Sequence, residues 1–164
     1  PGGDGMEVPW HQDGHYWPIR PLATCTVWIA IDDSRVENGC LRVLPRSHRK
    51  GALLDHIRED REDIVLNQRV EDKILDLDAA TDVELEAGQM SLHDVYLAHG
   101  SNANRSTHRR AGIAIRYMPG SSHFDRELFT PSTDVNYTID FTARPLWLLR
   151  GEDLTGRNDF SVGH

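Results

Sequence analysis

The run Thr24-Cys25-Thr26-Val27-Trp28-Ile29-Ala30-Ile31 is the stretch that most narrows the folds open to this chain. It is β-branched or apolar at nearly every position, and successive side chains of a strand point to opposite faces. A strand apolar on both faces belongs in the middle of a sheet, covered on both sides. The runs that follow are short and separated by turn residues. Residues 40–44 stop at Pro45, residues 81–86 alternate with period two as a half-exposed strand should, and residues 90–93, 96–101 and 110–118 complete the series. With no βαβ rhythm, these strands predict an all-β, antiparallel double-sheet jelly roll.

Two parts of the chain depart from that pattern. In residues 46–73 charge dominates and alternation disappears, which predicts an insertion over one rim carrying a short helix at residues 53–62. From Pro119 onward Gly, Ser and Pro rise. Arg144-Pro145-Leu146-Trp147-Leu148-Leu149 then reads as a segment packing back on the core. The expectation is one domain over residues 1–164, with a barrel core at 1–118 and an extension at 119–164.

A formal charge of -8 argues against nucleic acid or an anionic membrane as main partner. No apolar run approaches the length of a membrane span. Pro-Gly-Gly-Asp at the start shows no export signal, so a cytoplasmic setting is expected. Cys25 and Cys40 have no metal-binding spacing and read as reduced, packed thiols.

The chemistry starts at Trp10-His11-Gln12-Asp13-Gly14-His15-Tyr16-Trp17-Pro18. In extended chain His11 and Asp13 share a face, so an imidazole and a carboxylate can take adjacent corners of a metal. The pattern is common by chance, and His123-Phe124-Asp125 repeats it as a solvated polar turn. What sets the first copy apart lies downstream. His99 is followed by Gly100 and Ser101, and Arg110 comes eleven residues later. Two imidazoles and one carboxylate suit non-haem Fe(II) and leave coordination positions open. His93 is the rival third ligand, but it lacks the Gly-Ser and the Arg at that spacing. Arg110 opens a strand with Gly112 and Ala114 on its own face, leaving room for a carboxylate in the guanidinium fork. A surface ion pair would also explain an Arg at a strand end. Ile113, Ile115 and Tyr117 form the opposite, packing face.

Taken together, these residues resemble the phytanoyl-CoA dioxygenase family of Fe(II)/2-oxoglutarate oxygenases. The resemblance rests on Trp10-His11-Gln12-Asp13, His15-Tyr16-Trp17-Pro18 and Arg20-Pro21, then on residues 37–48 (ENGCLRVLPRSH). It closes with His99-Gly100-Ser101, Asn104, Ser106 and Arg110. It implies a double-stranded β-helix (cupin-like) fold, with His11, Asp13 and His99 holding Fe(II) and Arg110 binding the distal carboxylate of 2-oxoglutarate. Gln12 and Ser101 match positions that help hold that cosubstrate, and Trp28 falls near another, though it also reads as a plain core tryptophan. His15 fits a place beside the metal or substrate better than ligation. The implied reaction uses O2, gives succinate and carbon dioxide, and hydroxylates a small organic or acyl molecule. Asp13 argues against the halogenating variants. Family members carry helices and a first strand ahead of the His-x-Asp motif. The resemblance thus implies either a piece of a longer chain or a barrel lacking one edge.

Two other classes use the same features differently. A cupin-like isomerase or hydrolase would need the ligands but not Arg110, and a silent binding barrel would need neither. Arg42, Arg46, Arg49 and Lys50 offer a cationic surface for a CoA group, or simply a solvated rim. Substrate identity and oligomeric state are not written in the sequence.

Overall fold

The computed structural model describes residues 2–128 and 141–162. Eleven strands follow one another: β1 (Val8–His11), β2 (Ile19–Arg20), β3 (Cys25–Ala30), β4 (Leu41–Val43), β5 (His56–Arg58), β6 (Gln68–Val70), β7 (Thr81–Val83), β8 (Met90–Asp94), β9 (His99–Ser101), β10 (Gly112–Tyr117) and β11 (His123–Phe124). Among the described residues the helical pieces are 3-10 turns of three or four residues. None is long and apolar enough to cross a membrane.

The strands form two main sheets, β1-β9-β4-β7 and β10-β3-β8, with small ribbons β5-β6 and β11-β2. All these pairings are antiparallel. This is the expected jelly-roll arrangement, and β3 takes the central place its composition predicts. Thr26, Trp28 and Ala30 share one face of β3. Register puts Arg116, Ala114 and Gly112 of β10 beside them on one flank, with His93 and Ser91 of β8 on the other. Thr26 and Ala30 are buried there.

The other face differs from expectation. Val27 and Ile29 are only half-buried, while Leu92, Ile113, Ile115 and Tyr117 around them are exposed, Leu92 by 62%. The described residues do not cover this apolar face, so the packing surface read from the sequence is present but open.

Several boundaries also move. The helix expected at residues 53–62 is not formed, and β5 lies there instead, paired with β6. A short isolated helix is marginal in water, whereas a ribbon satisfies its backbone across the pair. The ribbon is anchored by His56, whose Nδ1 lies 2.9 Å from the Leu54 carbonyl and whose Nε2 accepts from the Gln12 amide. The strand expected from Tyr96 begins only at His99, because a turn at Asp94 intervenes: Leu97 N–H donates to its carbonyl and Tyr96 N–H to its carboxylate. Residues 8–11, read as loop and motif, form β1. His123-Phe124-Asp125 is no solvated turn, since His123 is buried in β11 against β2.

One end of the molecule holds an aromatic core of Trp17, Ile19, Phe124 and Phe141, with Leu22, Met118 and Leu146 packed on it. Beyond Leu146, Trp147, Leu148 and Leu149 are exposed. Cys25 and Cys40 are both free thiols.

Candidate metal centre

His11 ends β1 and lies directly across from His99 on β9, so two imidazoles that are distant in sequence become cross-strand neighbours. Their ring centroids are 4.2 Å apart. Gly100 permits the close pairing, since a Cβ there would sit 2.8 Å from the Val8 carbonyl oxygen. After His11 the chain stays extended at Gln12 and then enters a 3-10 turn at Asp13, which brings its carboxylate to the same pair of rings. Asp13 Oδ1 lies 3.7 Å from His11 Nε2 and 3.9 Å from His99 Nε2. One donor atom from each of the three falls within 4.8 Å of the others, and all three residues are buried.

The protonation states suit a cation. Nδ1 of His11 lies 2.9 Å from the Pro9 carbonyl and Nδ1 of His99 lies 2.8 Å from that of Leu97. A carbonyl only accepts, so each Nδ1 carries the proton and each Nε2 keeps its lone pair for a ligand. Burial, reinforced by the neighbouring His11, pushes the His99 pKa down to about 3, so this ring is neutral at ordinary pH. Burial opposes ionisation of Asp13, but the surrounding imidazoles of His11, His93 and His99 outweigh it and hold its pKa well below the usual carboxylate range. The second oxygen, Oδ2, accepts a 2.7 Å hydrogen bond from Thr26 Oγ1, which ties the centre of one sheet to the site on the other.

His93 stands on the Oδ2 side, with its Nε2 3.6 Å from that oxygen. It is buried, and neither ring nitrogen has a hydrogen-bond partner. The structure therefore gathers His11, Asp13 and His99 around Oδ1 and leaves His93 beside them. His15 is exposed, stacked on the His56 ring at 4.0 Å and hydrogen-bonded to Gln68.

Arg110 lies on the inner face just ahead of β10. Its Cζ is 5.7 Å from the centre of the Trp28 ring, a cation–π contact. No carboxylate pairs with it among the described residues, its buried Nε lacks a partner, and burial pushes its pKa below the usual arginine value. Ser101, one turn of the pleat beyond His99, also has a buried hydroxyl without a partner. Buried polar groups left unpaired in a cleft are what an absent acidic ligand leaves behind. Gln12 differs from this group. Its side chain is fully buried, donates to the carbonyls of Tyr96 at 2.6 Å and Ala52 at 3.3 Å, and accepts from Leu54 N–H at 2.6 Å. It braces the loop before β5 at Ala52 and Leu54 and ties it to Tyr96. In the cationic run, Arg42 pairs with Asp82 at 3.0 Å while Arg46, Arg49 and Lys50 are exposed.

Sequence reasoning missed Thr26, Arg116 and Arg144. Arg116 Nε lies 4.0 Å from Asp13 Oδ2, and the guanidinium groups of Arg116 and Arg144 both lie over Trp17. The available signal was the two-residue period that puts Arg116 on the face of Arg110. Nothing local in the sequence marks Thr26 or Arg144.

Residues 1–112 match the sequence profile of the phytanoyl-CoA dioxygenase (PhyH) family. The chain belongs to this family. Among its relatives, a phytanoyl-CoA dioxygenase domain-containing protein 1 homolog from Dictyostelium discoideum is 32% identical over 120 residues, covering 72% of this chain and 43% of that protein. A probable phytanoyl-CoA dioxygenase from Caenorhabditis elegans is 38% identical over 113 residues, covering 66% of this chain and 35% of its own length. Among solved structures, EvdO2 from Micromonospora carbonacea var. aurantiaca in complex with 2-oxoglutarate superposes with a TM-score of 0.60 at 29% identity, covering 71% of this chain and 46% of EvdO2. The chain thus spans less than half the length of each of these relatives. Membership accounts for the two-sheet fold. Two histidines and a carboxylate fit Fe(II), and a half-buried arginine with no acidic partner among the described residues fits the far carboxylate of 2-oxoglutarate.

Proposed function

We propose that this chain carries the active site of a non-haem Fe(II)- and 2-oxoglutarate-dependent dioxygenase that hydroxylates a small organic or acyl substrate. The observation that carries the reading is the placement of donor atoms from three buried residues within 4.8 Å of one another in the same fold as a half-buried guanidinium that has no acidic partner among the described residues. His11, Asp13 and His99 would hold the iron, and 2-oxoglutarate would lie between it and Arg110. When bound, iron and cosubstrate supply oxidative decarboxylation to succinate and carbon dioxide, coupled to oxidation of the substrate by O2.

The chain's own residues supply orientation. The carbonyls of Pro9 and Leu97 fix both imidazole tautomers, so the rings present lone pairs without rearrangement. Thr26 engages Asp13 Oδ2 and leaves Oδ1 for the metal, which favours binding through one oxygen. Arg110 offers a planar fork to the distal carboxylate, Ser101 a hydroxyl, and Trp28 an apolar wall that excludes water and strengthens the ion pair.

The test is an anaerobic titration with Fe(II) and 2-oxoglutarate, following the weak visible charge-transfer band of the chelate. The wild-type chain is expected to develop the band and His99→Ala to lose it. Folded wild-type protein that binds iron yet shows no band would overturn the oxygenase reading in favour of a metalloprotein without cosubstrate.

A further inference from the structure

Next to the centre lies a cleft of about 800 Å³, a size that suits a small organic ligand. Its walls are apolar where the aromatic core reaches the surface, at Ile19, Met118, Phe124 and Leu146. Three arginines line it, and two of them, Arg116 and Arg144, reach Trp17 from different parts of the chain. Arg116 comes from β10, opposite Thr26 and thus on the face that carries the metal centre. Arg144 comes from the C-terminal segment. Their Cζ atoms lie 5.1 and 5.3 Å from the centre of the Trp17 ring.

Among the described residues neither guanidinium has a carboxylate closer than 4.0 Å. For Arg116 the nearest carboxylate is that of Asp13 at 4.0 Å, already engaged by Thr26. Arg144 has no carboxylate partner among the described residues. Asp153 also lines the cleft, but its oxygens accept from the backbone and side chains of Thr155 and Asn158. Two like charges over one indole repel each other. Burial and the charge of Arg116 both push the Arg144 pKa down. Such a pair is stabilised by an anion set between its members.

We propose that Arg116 and Arg144 form an anion clamp, which grips the oxyanion head group of a substrate whose apolar body lies along Ile19, Met118, Phe124 and Leu146. This assignment rests on the oxygenase reading of the neighbouring centre, which makes the occupant a substrate. The predicted class is a free amphipathic acid, in preference to a neutral alcohol of the same length.

The probes are octanoate and octan-1-ol, titrated into metal-free protein by calorimetry and by Trp fluorescence. Wild type is expected to bind octanoate about tenfold or more tightly than octan-1-ol, the scale of one charge-assisted contact. Arg144→Gln should bring the two ligands to within about twofold, and Arg144→Lys should restore part of the preference. Equal affinities in wild type, no octanoate binding, or a preference untouched in both Arg144→Gln and Arg116→Gln would overturn the clamp. So would displacement of octanoate by saturating 2-oxoglutarate, which would make the pair a dicarboxylate site. The chelate band is read on parallel aliquots of the same preparations after anaerobic addition of Fe(II) and 2-oxoglutarate. Its absence sinks the oxygenase reading whatever octanoate does, and its presence without octanoate preference sinks only the clamp.

Discussion

His11 and His99 use the same local device, a ring nitrogen bonded to the carbonyl two residues earlier in the chain. That repetition explains why the metal ligands were legible in the sequence: each sits in a short motif that carries its own support. Thr26 and Arg116 were not legible, because their value arises from register, through a hydroxyl and a guanidinium that meet Asp13 only once β3 and β10 pair. Gln12 lies within the motif, and its amide holds the main chain around Ala52 and Leu54. On the proposed reading, Arg110 is the residue whose replacement distinguishes metal binding from cosubstrate binding. Arg110→Gln should leave Fe(II) affinity within about twofold but weaken 2-oxoglutarate by roughly ten- to a hundredfold, the worth of a charged hydrogen-bonded pair. Calorimetry with each ligand in turn measures both. Loss of metal binding in this variant would show that Arg110 supports the fold.

Among the elements, β10 shows how packing constrains the site. Trp28 lies across Gly112 so closely that a Cβ at that position would collide with the indole. Glycine there lets the ring extend over the strand towards Arg110. Gly112→Ala should therefore displace Trp28, cost about 1–3 kcal/mol as overpacking does, and weaken 2-oxoglutarate binding while the metal ligands stay in place. Thermal melting and cosubstrate titration would show both effects together, and an unchanged melting temperature would mean that the ring moves freely. The sequence announced Gly112 as a small residue facing a cavity. It could not say that the space was occupied by a tryptophan from the neighbouring strand. The insertion was misread for a related reason. Its charges hid a ribbon whose stability comes from cross-strand pairing and from His56, which a helical or alternating pattern does not encode.

At the level of the whole molecule, fold class was readable because the runs around β3 alternate or fill both faces without helical period. The open outer face was not, since a strand's composition says what it can bury and not what covers it. Where β1 meets β9, positions near 10 join positions near 100. Closing so long a loop is slow, and its entropy is lost before the contacts that repay it form. We expect the three candidate ligands to meet only after the transition state for folding has been crossed. A divalent ion should then slow unfolding in denaturant without speeding refolding, because it stabilises contacts that form only in the native state. Stopped-flow chevrons with and without Ni(II) or Co(II) would show a lowered unfolding limb over an unchanged folding limb. A faster folding limb would mean that the ion nucleates the chain. If the unfolding limb alone moves, iron is cargo for a finished protein, and loading becomes a separate step that can be controlled after synthesis.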